Sequence, residues 1–211
     1  MWRPACIALG ALFLLAAPGQ LSAAEPRAMP GVTGEAERLA MQARRYLVRV
    51  IRAATHSASP EGPGRIIGTG VSLGGGYILT CAGIVGSATE VLVSPSPGDT
   101  VIARVAGLDR RTNIAVLQAD GLGLAPIPVS DRALVFPGEM VFAVGLGAPG
   151  APSAGFGTVV LPEGPSLGYS DVDMLQVAAP VFPGLTGGAL LDRSGRMVGL
   201  LYAAVLLNNN D

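Results

Sequence analysis

From Tyr46 onward the chain runs in short β-branched stretches that alternate apolar and polar residues and are cut by Gly and Pro. Such alternation, with turn signals at roughly 8 to 15 residue intervals, predicts strands. The expected strands are Tyr46–Ala54, Ile66–Leu73, Gly76–Cys81, Glu90–Ser94, Thr100–Leu108, Ile114–Ala119, Glu139–Val144, Gly155–Leu161, Met174–Ala178, Ala189–Asp192 and Met197–Leu206. Gly74-Gly75-Gly76 and Arg193-Ser194-Gly195-Arg196 have the composition of hairpin turns. Only Gly34–Arg45 carries a helical pattern: Leu39 and Ala43 fall on one side and no Pro interrupts. Many strands and one helix predict a sandwich or closed barrel rather than a parallel sheet. Gly121–Val135 is a natural link between two halves, and residues 208–211 read as a tail. No internal repeat has a fixed period.

Composition narrows this picture. The chain has 211 residues, 50% apolar and 14% charged, enough apolar surface for one domain or two small barrels packed as one unit. A formal charge of −1 gives no electrostatic reason to expect nucleic acid or an anionic membrane surface. The first residues read as a segment for export: Arg3, an apolar stretch Cys6 to Ala17, a break at Pro18-Gly19, then small residues at Ser22-Ala23-Ala24. The apolar stretch is short of the about 20 residues needed to span a bilayer comfortably. Residues 1–24 are therefore expected to be a signal peptide, with an uncleaved anchor as the alternative. Residues 25–45 form a helical segment ahead of the β domain. The expected location is periplasmic or extracellular, with no membrane span after cleavage. Cleavage after Ala24 leaves Cys81 as the single cysteine, so no internal disulfide forms; in an apolar strand it reads as buried and inert rather than reactive. No cofactor is called for, and no metal: Asp171 and Asp173 sit in a Gly-, Ser- and Pro-rich loop without a His partner.

Three segments carry the candidate chemistry: Gly68-Thr69-Gly70-Val71 through Gly76–Val85, then Asp109–Leu117, then Pro183–Leu191 followed by Gly195–Gly199. In order and spacing they resemble the HtrA/DegP-type branch of the trypsin-like serine proteases over roughly residues 46 to 203, within a domain expected over 46–207. The resemblance implies a chymotrypsin-like fold: all-β, two packed six-stranded antiparallel barrels, the first over about residues 46–120 and the second over about 135–207, with a short N-terminal helix. It also implies where a catalytic His, Asp and Ser would stand. Those positions hold Gly83, Asn113 and Thr186.

The triad works because a hydroxyl passes its proton to an imidazole that a carboxylate orients and stabilises. Gly83 has no side chain to accept a proton. Asn113 cannot stabilise an imidazolium, and a change of that type costs about 10⁴ in rate. Thr186 keeps a hydroxyl without a base. The single His of the chain, His56, lies in a Ser/Pro/Gly-rich loop between the first two strands. By the same resemblance the amides of Gly184 and Thr186 form an oxyanion hole; the alternative is that the glycines around them only shape a tight turn. Pro180 and Phe182 stand where the family builds a specificity pocket. Leu201, Tyr202 and Ala203 stand where it offers a strand edge to an extended peptide, or else pack as core. The expectation is an exported pseudo-protease, inactive as an endopeptidase, that takes a protein or extended peptide as partner. It would assemble as a homo-oligomer or with an HtrA-type relative, the Gly34–Arg45 helix being the candidate contact. Two other readings stand: a serine/threonine-type endopeptidase with relocated machinery built on His56, and a paralogue in decay.

Overall fold

The computed structural model describes residues 9–11, 32–53, 65–96, 98–132, 135–147, 151–165, 172–180, 182 and 184–202. In chain order the elements are β1 (Leu9–Ala11), α1 (Val32–Ala43), β2 (Leu47–Ala53), β3 (Arg65–Gly74), β4 (Tyr77–Cys81), α2 (Ala82–Val85), β5 (Glu90–Ser96), β6 (Asp99–Asp109), β7 (Ile114–Gln118), β8 (Met140–Leu146), β9 (Pro152–Gly164), β10 (Met174–Ala178), β11 (Ala189–Leu191) and β12 (Met197–Leu200). All eleven expected strands are present, ten of them within three residues at each end; the last is assigned over Met197–Leu200, and residues 203–206 of its expected span lie outside the described residues. β1 and the single turn α2 were not expected.

β2 to β7 form a closed barrel in the order β2-β3-β4-β7-β6-β5, every pair antiparallel. The period of two along each strand decides which side chains fill it. Val48 and Val50 point inward with Val91, Val93, Ala103, Ala115 and Leu117, all buried, while Arg49, Leu92, Ile102 and Arg104 keep some exposure. Gly70 sits opposite Val48 because a side chain there would collide with Ile78, Val50 and Val48. The turn Gly74-Gly75-Gly76 runs at positive φ throughout, a conformation that favours glycine at all three positions.

The other six strands form a second sheet, in the order β1-β10-β9-β8-β11-β12. Its pairs are antiparallel apart from β1, which runs parallel to β10. This is the expected two-barrel, chymotrypsin-like architecture, with the second unit left open among the described residues. β12 ends at Leu200, earlier than the pattern predicts, because the backbone of Leu201 is diverted to bond Gly187 and Gly188.

α1 packs on the second unit, against β8 and β9. Its buried residues Ala36, Leu39, Ala40 and Ala43 follow helical spacing, and Met41 on the opposite face is exposed. Full burial of Leu39 is worth about 2 kcal/mol. Glu35 reaches Arg193 at 3.8 Å across the β11–β12 turn. The link between the units is stitched to both. Ala125 N–H donates to Arg45 O and Ile127 N–H to Ser72 O on one side; Met197 N–H donates to Pro128 O on the other.

Candidate functional site

The cleft is built where β4 gives way to α2. Ala82, Ile84 and Val85 are buried, which leaves Gly83 as the exposed residue of that single turn. A helix start has orphan amides, and Cys81 at the N-cap supplies no side-chain acceptor. Asn113, next to Ile114 on the neighbouring strand β7, supplies two. Ala82 N–H donates to Asn113 O at 3.0 Å, and Gly83 N–H donates to Asn113 Oδ1 at 2.9 Å. Asn113 holds φ at +57°, alone among the described non-glycine residues in a left-handed conformation, one that Asn tolerates better than most. The turn before it is tied by Asp109, whose carboxylate accepts from Arg111 N–H and from the Thr112 hydroxyl, both at 2.9 Å. Those bonds, the hydroxyl first, hold the Asp109 carboxyl below its ordinary value. A Cβ added to Gly83 would meet one atom within 4 Å, Asn113 Oδ1 at 3.6 Å, so a side chain has room there.

The second wall is the loop 184–188. Gly184 and Gly187 have φ of +90° and +81°. A Cβ would come within 2.2 Å of Leu146 O at Gly184, 2.1 Å of Thr69 O at Gly187 and 2.2 Å of Val144 O at Gly188. Only glycine fits such approaches. The loop is held by Thr69, fully buried on β3. Its N–H donates to Thr186 O at 2.8 Å, its hydroxyl donates to Gly184 O at 2.6 Å, and the same oxygen accepts from Leu146 N–H at 2.9 Å. The Thr80 hydroxyl donates to Thr69 O at 2.7 Å. One threonine thus joins the first barrel to the loop and to the end of β8. The sequence motif contains Thr69, but its role was missed; the available signal was a polar β-branched residue set between two glycines in an apolar strand.

Gly187 also abuts α2: its added Cβ would lie 3.0 Å from Ile84 Cδ1, next to Gly83. Gly83 and Asn113 therefore lie close to the Thr186 loop, where the two units meet. Cys81 lies beneath it, its Sγ–H directed to Leu201 O at 3.4 Å. Burial pushes this thiol up to about 12, against a smaller lowering from the Gly187 amide. It is buried and inert at neutral pH.

The remaining candidates divide. Pro180 is exposed, and Phe182 is half-buried against the cluster of Val141, Ala143, Leu175, Val177, Leu185 and Leu201. Leu201 is itself core: its N–H donates to Gly188 O at 2.8 Å and its O accepts from Gly187 N–H at 2.7 Å. Tyr202 is half-buried. His56, Asp171 and Ala203 lie outside the described residues. Asp173 is exposed, and among the described residues no group of three or more His, Cys, Asp or Glu is placed to hold a metal ion.

Residues 68–200, more than half of the chain, match the family model of the trypsin-like peptidase domain. The chain belongs to that family. This trypsin-like domain is 31% identical over 128 residues to a probable periplasmic serine endoprotease DegP-like of Pseudomonas putida, covering 59% of this chain and 26% of that protein. It is 32% identical over 131 residues to Protease Do-like 1, chloroplastic, of Arabidopsis thaliana, covering 59% and 30%. It thus spans between a quarter and a third of the length of these curated relatives. Among solved structures, an HtrA-type protease AlgW with tripeptide superposes with a TM-score of 0.66 at 23% identity, over 78% of this chain and 52% of that one. The Rv3671c protease of M. tuberculosis in its active form superposes at 0.67 and 20% identity, over 92% and 85%. At those identities the likeness concerns the fold.

Proposed function

We propose that this trypsin-like domain is an exported pseudo-protease, which holds an extended peptide in its cleft and does not hydrolyse it. The observation that carries this reading is the environment of Gly83. Where the family's general base would stand is Gly83, which has no side chain and whose amide N–H is bonded to Asn113 Oδ1. A hydroxyl is a weak nucleophile until a base takes its proton. Asn113 is committed to the two amides that open α2, a structural duty that an amide side chain performs without any imidazole to orient. Gly184 and Thr186, the oxyanion-hole candidates, keep the glycine-framed loop under the grip of Thr69. What supports a binding role is the shaped wall of the loop 184–188 beside a position, Gly83, that has no side chain. The occupant of the cleft is an extended peptide laid beside Tyr202, with Pro180 and Phe182 flanking the first side-chain pocket. Export is supported by the relatives named as periplasmic. Assembly with a second copy or an HtrA-type relative belongs to the same reading.

The test is turnover of casein and fluorophosphonate labelling at residue 186. The expected result is neither above background, with Thr186→Ala indistinguishable from the parent. Cleavage that disappears in Thr186→Ala would overturn the reading and favour relocated machinery. The triple variant Gly83→His/Asn113→Asp/Thr186→Ser supplies the missing groups where a side chain has room. It is expected to label and to gain roughly 10²-fold or more in hydrolysis over the parent.

A further inference from the structure

The C-terminal end of α2 is held by two arginines that reach it from different parts of the first barrel. Arg52, near the end of β2, donates from Nε to Ile84 O at 2.7 Å. Arg110, in the turn after β6, donates from Nη2 to Gly86 O at 3.1 Å. Gly86 is the C-cap of α2, and a Cβ there would stand 3.0 Å from Arg52 Cζ, so glycine lets the guanidinium pack against the backbone. The turn that carries Arg110 also carries Asn113, whose Oδ1 accepts from Gly83 N–H at 2.9 Å. Gly86 lies three residues beyond Gly83, about 5 Å along a helical turn. Both cations therefore stand beside the position where the family's base would be.

A guanidinium has five N–H donors, and each of these two spends one on a main-chain carbonyl. Among the described residues neither meets a carboxylate; the ion pairs there join Arg132 to Glu139 and Arg193 to Glu35. Asp109, next to Arg110 in the chain, accepts from Arg111 N–H and the Thr112 hydroxyl instead. Two like charges gathered on one three-residue stretch repel, and an anion between them relieves that repulsion. The bond to Gly86 O is exposed, where water would serve as well, so capping of α2 does not account for the second cation. A guanidinium fork fits a carboxylate through two parallel N–H···O bonds, and a side chain already fixed at one donor loses less freedom on binding.

We propose that Arg52 and Arg110 form a carboxylate site beside Gly83, which takes an acidic side chain of the extended peptide. The peptide as occupant rests on the function proposed above; the carboxylate site is tested apart from it.

Two measurements on the full 211-residue chain test the proposal. In the first, the Nε–H signals of both arginines are followed by NMR as a blocked tri-glutamate peptide is added. They are expected to shift saturably, to stay in place with the tri-glutamine peptide, and to titrate more weakly as salt is raised. Arg110→Gln, a change at an exposed side chain, is expected to weaken the titration of Arg52 about tenfold, and Arg110→Lys less, because the charge stays while the fork is lost. In the second, two labelled decapeptides that alternate Val with Glu or Val with Gln are compared by fluorescence anisotropy. The Glu peptide is expected to bind about tenfold more tightly, and the difference to disappear in Arg52→Gln/Arg110→Gln. The absence of a saturable shift, or an equal shift with tri-glutamine, overturns the proposal. So does equal binding of the two decapeptides. If neither decapeptide binds while tri-glutamate still titrates, the peptide reading falls and the carboxylate site stands.

Discussion

A single hydroxyl, that of Thr69, holds the loop 184–188 to the first barrel and to the end of β8. The Thr69 oxygen donates to Gly184 O and accepts from Leu146 N–H, so removing it takes a partner from a buried amide and from a part-buried carbonyl of the second unit. Thr69→Val keeps the shape and loses both bonds. The expected cost is about 2–4 kcal/mol, since buried unsatisfied groups lose their full hydration. Thr69→Ser keeps the oxygen and loses one methyl, an expected cost of about 1 kcal/mol. Denaturant midpoints for the two variants check this, and equal losses would show that the bonds contribute nothing. The identity of Gly184, Gly187 and Gly188 has a similar explanation. Each is dictated by a carbonyl at about 2.2 Å from the missing Cβ, not by conformational freedom alone. Neither fact follows from the local sequence, because both partners lie far along the chain.

At the scale of elements, the turn 109–113 and the helical turn α2 behave as one piece. Asp109 ties the turn, the turn sets Asn113, and Asn113 caps α2. The Asp109 carboxyl is held below its ordinary value in the folded state. A depressed folded value means that its contribution is complete above the unfolded value of 3.8 and is lost as pH falls through the folded one. The Tm gap between the parent and Asp109→Asn is therefore expected to be full at neutral pH, to shrink below that unfolded value and to vanish in stronger acid. A gap that persists at the acid end would assign the effect to packing. Glu139 follows the same sign, paired to Arg132 through two bonds of 2.7 and 3.0 Å.

For the whole molecule the decisive surface is the one between the two units. Cys81 belongs to the first barrel, yet its sulfur meets Leu201 O and the Gly187 amide of the second. A thiol pushed up to about 12 by burial has almost no thiolate at pH 8 and no access to reagents. Its modification is expected to require separation of the units. Mass spectrometry after alkylation at pH 8 should find Cys81 unmodified over hours in buffer and modified within minutes in denaturant. Labelling in buffer at the denatured rate would mean that the units part freely.

The sequence by itself determined the strands and the helix, because period-two burial, turn glycines and helical spacing are local signals, and it pointed to the family through the resemblance of three motif segments between Gly68 and Gly199. Eleven strands and the buried stripe of α1 were legible in that way, whereas Gly83, Asn113 and Thr186 were picked out through the resemblance of their segments and not through periodicity. Tertiary structure alone decided the rest. That Leu201 is spent as core, that Thr69 grips the glycine loop, that Asn113 caps a helix and that β1 pairs with β10 all depend on contacts between residues remote in sequence. Local pattern reports how a segment meets water; it carries no information about which distant carbonyl or strand edge will stand opposite.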